Sequence, residues 1–451
     1  MSNKVKFWFF SVFGFAFFLM PFSFLGNKKI AISHIVYIIT TYMYNPFIIF
    51  TQAVAVTVII GTIVFNLYSS KNDYLNKVFK TSSLSIFLRV VGSFMYLMVL
   101  NNWFSNTTIG ALITDPYTGG VMAGHHGLLT VIYITFFVGL LALPLLTHFG
   151  AVEFLGIILG PVVQKLFKVP GYSAVDAIAS FVGDGTIGIV VTDNQYQRGY
   201  YNKREAFIIA TSFSIVGISF AAAVAEELGF GEIFPIFYGS IALATVLIAM
   251  VTARLPLKKY EKTYFEGVEP KTVEIPEGKT VVEHATDTAI EAASEADYSQ
   301  ILKQAFSGIV RIYVGFLPVI MFVGTVGLIV AEYTPVFNII SAPLVPVFTM
   351  LGYSKEVASM MAPASLVGFA DMYLPALFIS GSPSEASRFF IGVLAFTQLI
   401  FMSETGMVLV ETKLGVNFGD VIKVFLYRTV LSIPILFIIT RVLVLMNIIS
   451  L

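Results

Sequence analysis

Nine stretches of about twenty mostly apolar residues recur along the chain, at 7–25, 47–67, 84–100, 128–146, 206–224, 234–251, 309–331, 389–410 and 421–446, the length a helix needs to cross a bilayer. No water pairs with backbone at that depth, so each spanning segment must satisfy its own N–H and C=O groups as a helix. The chain therefore reads as an all-α polytopic membrane protein with about nine transmembrane helices. Its composition, 57% hydrophobic and 12% charged, agrees, since soluble domains carry about 25% charged residues. The zero net charge argues against a nucleic-acid partner, because no basic surplus exists to neutralise phosphates. The absence of cysteine excludes disulfides and thiolate chemistry. Lys4 and Lys6 precede a first apolar stretch that is long and lacks a small-x-small cleavage site, so it reads as a span rather than a leader. Residues 30–45 are too short and polar to span and are expected to be interfacial or re-entrant.

Short cytoplasmic loops collect Lys and Arg. Lys71, Lys77 and Lys80, then Lys165, Lys168, Arg198, Lys203 and Arg204, and then Arg254, Lys258, Lys259 and Lys262 mark the inner side. Residues 101–127 and the Glu226-Glu227…Glu232 turn fall outside. This places the amino terminus in the cytoplasm, in a multi-pass protein of the cell (inner) membrane.

A repeat organises the rest. Pro161 recurs as Pro343, Gly171-Tyr172-Ser173 as Gly352-Tyr353-Ser354 and Glu205-Ala206 as Glu385-Ala386, at offsets of 182, 181 and 180 residues. Three crossings separate the starts of the two copies, and an odd number makes them inverted, the layout of carriers whose site lies at the bilayer midplane. The expected organisation is N-terminal scaffold helices at 1–127, gate repeat 1 at 128–253, a polar cytoplasmic linker at 254–305 and gate repeat 2 at 306–451. The linker is expected to be a solvated loop with a helical piece near 281–296, and its His284 lacks a second metal ligand at suitable spacing.

Each copy holds a stretch too interrupted for an ordinary span. In the first, 173–181 and 189–197 flank Gly183-Asp184-Gly185-Thr186-Ile187-Gly188; in the second, 357–366 and 372–379 flank Gly368-Phe369-Ala370-Asp371. Both read as re-entrant helical hairpins whose tips line a cavity, because irregular backbone at membrane depth needs protein or water to pair with it. Half-helix ends there suit an anion at amide groups or a cation at carbonyls.

The hairpin containing Gly183-Asp184-Gly185-Thr186, followed by Arg204-Glu205-Ala206-Phe207 and Ala210-Thr211-Ser212-Phe213-Ser214-Ile215-Val216-Gly217, resembles the first gate repeat of concentrative nucleoside transporters. Leu366-Val367-Gly368-Phe369-Ala370-Asp371 with Ala395-Phe396-Thr397-Gln398 and Ser403-Glu404-Thr405-Gly406 resembles the second. The whole layout is similar to the YjiH-like branch of this nucleoside-recognition, or gate-domain, group. The transporters' Gln-Thr-Glu and Asn-Glu are replaced here by Gly183-Asp184-Gly185-Thr186 and Ala370-Asp371. The resemblance thus implies a gate scaffold and an elevator-like or rocking carrier, and leaves the solute open.

Asp184 and Asp371 stand at corresponding tips, where a carboxylate is expected to contact solute or coupling ion or to cap a half-helix. Gly185 and Thr186 complete the first tip. Glu404, after Ser403, lies within an apolar stretch and is expected either in the site or in an ion pair with Arg428 or Arg311. Thr211, Ser212 and Ser214, with Thr397 and Gln398 opposite, supply neutral donors and acceptors, or join helices together. His125-His126 with Asp115, and His148 with Glu153, are weaker signals, and Tyr196, Tyr200 and Tyr201 fit an interfacial belt. The expected activity is secondary-active transport of a small polar organic solute, such as a nucleoside, amino acid or short peptide derivative, without a cofactor and coupled to H⁺ or to Na⁺ held near the hairpin tips. A homo-oligomer built on the scaffold helices fits the resemblance. The alternatives are an intramembrane enzyme using Asp184 and Asp371 as a proton-sharing dyad and a non-transporting accessory protein.

Overall fold

The computed structural model describes every residue except Met1, Leu25, 69–70, 125–126, 183–184, 215–216, 256–259, 272–275, Glu277 and 403–404. Helices dominate, and the strands among the described residues are one short pair, Phe22–Phe24 with Asn27–Lys29. Six helical stretches are long and apolar enough to cross a membrane: Tyr44–Leu67, Ser83–Asn101, Gly119–Thr147, Phe234–Thr252, Tyr298–Val330 and Phe418–Leu445.

Three of the expected spans differ. The first helix, Asn3–Leu19, stops at 17 residues because Pro21 follows its end. The stretch at 206–224 divides into Lys203–Ser212 and Ile218–Glu227, and that at 389–410 into Glu385–Gln398 and Thr405–Glu411. Hydropathy registered the apolar content of both stretches and missed the breaks. Residues 31–42 form a 12-residue helix, Ala31–Tyr42, with His34 buried.

The backbone divides into two compact units. One comprises Ser23–Leu141 and Leu302–Pro343. Ser83–Asn101 lies closely against Leu317–Tyr333 there, because Gly92 has no Cβ: one would run into the Pro318 carbonyl. Five residues before that helix, Ile312–Phe316, form a π-turn. Pro318 lacks an N–H and would clash with the carbonyl four residues back in a regular α-helix, and the wider turn avoids both. Tyr96 donates to Thr51 Oγ1 (2.9 Å) and Tyr313 to the Tyr133 carbonyl (2.6 Å), so these two buried hydroxyls are paired within the unit.

The other unit comprises Met1–Phe22, Ala142–Ile301 and Leu344–Leu451. Its edges at Ala142 and Leu344 fall inside the stretches expected for the two repeats. The helical piece expected in the linker is present as Val281–Glu295, and it is docked rather than solvated. A capping box opens it, with the Thr280 hydroxyl accepting from Glu283 N and the Glu283 carboxylate accepting from Thr280 N. Ala285, Ala289 and Ala293, one turn apart, are fully buried, and Ala289 and Ala293 pack on Phe7 and Phe154. Gly150 (φ +92°) admits the Ala289 carbonyl where any Cβ would collide.

The hairpin stretches are pairs of packed helices, Ser173–Val182 with Gly185–Gln197 and Lys355–Val367 with Leu374–Ser380. In the first pair Gly188 brings the arms together, since a Cβ there would stand 2.8 Å from that of Ser180. Tyr201, expected in an interfacial belt, is instead fully buried and donates to Asp176 (2.6 Å), while Tyr196 is buried against Phe265. Their hydroxyl and ring chemistry suits an interface, but here the chain folds back over both.

Candidate functional site at two broken helices

The two interrupted helices begin at equivalent places in the repeat. Lys203–Ser212 begins with a capping box, Asn202 Oδ1 accepting from Glu205 N (3.0 Å) and Glu205 Oε2 from Asn202 N (2.9 Å). Glu385–Gln398 begins on Ser384, whose hydroxyl accepts from Ser387 N (3.1 Å). The first stops at Ser212. The second stops at Gln398 because Leu399 turns left-handed (φ +61°), a conformation costing a branched residue about 1–3 kcal/mol. Across that second break the Thr405 hydroxyl donates to the Leu399 carbonyl (2.8 Å) and accepts from Phe401 N (3.2 Å).

Helix ends leave orphan carbonyls. Here one side chain collects them from both helices. Arg428, fully buried in the middle of Phe418–Leu445, donates from Nε to the Thr397 carbonyl and from Nη1 to the Thr211 carbonyl, each at 2.9 Å. Both acceptors sit at the negative ends of half-helix dipoles, which favour a cation. Arg428 therefore serves carbonyls, whereas Lys279 and Asp287 form an ion pair in the linker.

Beside Arg428, Gln398 donates from Nε2 to the Ser365 carbonyl (2.7 Å) and to Thr429 Oγ1 (2.9 Å). Ser365 lies in the last turn of Lys355–Val367, so Gln398 closes that helix end as well. Its Oε1 faces Gly368, where a Cβ would collide with it, and has no hydrogen-bond partner. The buried hydroxyls of Ser212 and Tyr373 are likewise unpaired. A buried polar atom without a partner costs about 1–3 kcal/mol.

Of the expected site residues, Thr211, Thr397 and Gln398 meet around Arg428, and Ser212 adjoins them in sequence. The hydroxyls of Thr211 and Thr397 donate to Phe207 and Leu394 carbonyls of their own helices (2.7 and 3.0 Å), which leaves their oxygens only as acceptors. Ser214 is buried, with Oγ 3.5 Å from where a Cβ on Gly188 of the first hairpin would stand. Asp371 is buried in the turn of the second pair, accepting from Tyr373 N (2.8 Å) and opening Leu374–Ser380. Met402 N ties that turn to the second break through the Phe369 carbonyl (2.8 Å). Gly185 and Thr186 begin Gly185–Gln197. Asp184, Ser403, Glu404 and the pair His125-His126 lie outside the described residues. His148 Nδ1 is bonded to the Thr147 hydroxyl (2.8 Å).

Arg428 and Tyr373 carry the geometry and were not in the expected set, although a cation in the middle of a 28-residue apolar helix is itself a signal.

A family profile described as "Gate: Nucleoside recognition" matches residues 129–231, which include the first hairpin and the first broken helix. The uncharacterized protein BpOF4_10220 of Alkalihalophilus pseudofirmus is 35% identical over 443 residues, covering 96% of this chain and 94% of the relative. Solved structures of CNTnw are also similar. An outward-facing doubly substituted form is 15% identical, with TM-score 0.44, covering 99% of this chain and 100% of that one. An inward-facing substrate-bound state is 14% identical, with TM-score 0.43, covering 96% and 97%. The chain belongs to the family of BpOF4_10220 and carries a nucleoside-recognition gate domain at residues 129–231.

Proposed function

We propose that the protein is a secondary carrier that moves a small polar organic solute across the membrane, nucleosides being the first class to test, driven by a Na⁺ or H⁺ gradient. The observation that carries this reading is the meeting of two equivalent broken helices on Arg428, with the unpaired Ser212 Oγ, Gln398 Oε1 and Tyr373 Oη beside them. Discontinuous helices whose ends face one another are how repeated carriers present backbone dipoles to a solute without charged side chains. The Arg428 guanidinium already serves the carbonyl ends, and the unpaired acceptors and hydroxyls beside it suit the hydroxyl and amide groups of a sugar or base. The reading is carriage rather than catalysis, with Asp184, Asp371 and Glu404 completing the polar pocket and the hairpins re-entering the membrane from one side. The gate profile's description supports nucleosides as the starting class.

Proteoliposome uptake of radiolabelled uridine and adenosine under imposed Na⁺ or proton gradients tests it, comparing the wild type with Asp184→Asn, Asp371→Asn and Glu404→Gln. Gradient-driven uptake lost in at least one variant is expected. Unchanged uptake in all three overturns the site, and no flux of any nucleoside, amino acid or dipeptide overturns the carrier reading.

A further inference from the structure

A cavity of about 400 Å³ lies away from the broken helices, at the base of the first hairpin. Its floor is backbone: Gly156 and Gly160 of Ala151–Phe167 and Gly171 at the hairpin entry. Gly160 and Gly171 are so close that a Cβ on either would stand 3.0–3.2 Å from the other's carbonyl oxygen. Such a floor is flat and presents no side chain. The walls are rings. Tyr172 and Tyr200 pair at 6.1 Å between centroids, and Tyr264 of the linker faces in from the mouth. The remaining lining is apolar at Ile157, Pro161, Pro170 and Val175 and polar at Gln164, Lys271 and His284. Lys271 stands over the Tyr200 ring at 5.6 Å, held there by its backbone N–H on the Gly199 carbonyl (2.9 Å), and His284 reaches in from the linker helix.

The second copy of the repeat shows that this space is not a by-product of the fold. Tyr353 is the counterpart of Tyr172, and there the guanidinium of Arg441 lies over the ring at 5.7 Å and donates to the Leu351 carbonyl. Arg441 also covers Gly352, the counterpart of Gly171. In the first copy the ring of the equivalent tyrosine pairs with that of Tyr200. The linker instead adds a ring and a lysine around an open volume.

We propose that this cavity is a binding site for a planar heteroaromatic ligand bearing one anionic group, of the nucleoside monophosphate class. The ring stacks on the tyrosines over the glycine floor, and the anion meets Lys271 and His284. The volume lies at the lower end of the range typical of small-molecule pockets. Because the walls come from both the hairpin base and the linker, an occupied site holds the two together. The buried Asp176, fixed to Tyr201 (2.6 Å), lies behind the ring wall and is engaged by that hydroxyl.

Isothermal titration of the detergent-solubilised full chain with uridine and adenosine 5′-monophosphates tests the proposal, alongside the parent nucleosides, inorganic phosphate, choline and a short-chain phosphatidic acid. Saturable monophosphate binding is expected, weakened about tenfold by Lys271→Ala, the loss of one charge-assisted hydrogen bond, and also weakened by Tyr264→Ala, while Lys271→Arg retains it. Both residues are exposed at the rim, so these variants should fold. Uridine and adenosine binding at the broken helices would be unmoved by either substitution, which separates failure of this site from failure of the carrier reading. The proposal is overturned by absence of monophosphate binding, by binding insensitive to both alanine variants, by preferential binding of choline, or by phosphatidic acid displacing the monophosphate at the same Lys271-dependent site.

Discussion

Arg428 Nη1 and the Thr211 carbonyl meet at 2.9 Å across 217 residues of sequence, while the Nε of the same guanidinium holds Thr397 in the other copy. One planar cation thus fixes the distance between the ends of two broken helices. A rigid fork can serve two acceptors in fixed directions, and a flexible ammonium cannot do so equally well.

Arg428→Met leaves the Thr211 and Thr397 carbonyls without their donor and should therefore destabilise the protein by about 1–3 kcal/mol for each orphaned acceptor. Arg428→Lys should recover part of this by serving one carbonyl. Thermal unfolding in detergent reads the order wild type, Lys, Met; an equal loss in both variants would mean that charge contributes nothing beyond the fork.

Tyr373→Phe separates folding from solute contact. The hydroxyl is buried and unpaired, so its removal relieves a desolvation cost and stability should hold or rise slightly. Uptake should nevertheless fall. A variant that unfolds at lower temperature with unchanged uptake would contradict the role given to this group.

Gly92→Ala in the other unit places a methyl group against the Pro318 carbonyl and should cost about 1–3 kcal/mol as overpacking. Gly327→Ala, which meets nothing within 4 Å, is the control and should be neutral or mildly stabilising. Fluorescence-detected size exclusion after heating compares the two.

The carboxylate of Glu385 accepts from Ser450 N (2.7 Å) and Oγ (2.8 Å), and these bonds hold it below the ordinary glutamate range. A depressed folded-state value means that the anchoring is complete above the ordinary pKa and lost as pH falls through the lowered one. Protection of the Ser450 amide, its exchange rate relative to that of a free amide at the same pH, should fall only in acid, and Glu385→Gln should weaken that protection at neutral pH.

Several of these features were legible in the sequence. The apolar runs gave the membrane class and most of the long helices, and the recurring Gly-Tyr-Ser and Glu-Ala marks located the two helix pairs and equivalent helix starts, where Asn202 and Ser384 cap. The breaks after Ser212 and Gln398 were not legible, because Phe213 and Leu399 are apolar and neither proline nor glycine stands at the stopping point. Arg428 entered the sequence reading only as one of two alternative partners for Glu404, which lies outside the described residues; the acceptors it meets, the Thr211 and Thr397 carbonyls, are backbone atoms that sequence does not display. The alanine stripe at 285, 289 and 293 was visible but reads as polar amid so many acids; only the glycine at 150 and the ring of Phe7 make it a packing face.

That packing face also sets an order of assembly. Phe7 is covered by Ala289 and Ala293, which leave the ribosome about 280 residues later. At about 5–20 residues per second the first helix waits about 15–60 s for its cover. During that interval its inner face is available to lipid, to an insertase or to a second nascent chain. A stalled or truncated product ending before residue 281 lacks the alanine side of that face while Phe154 still packs on Phe7, so quality control of this protein has a half-open seam by which to recognise unfinished chains.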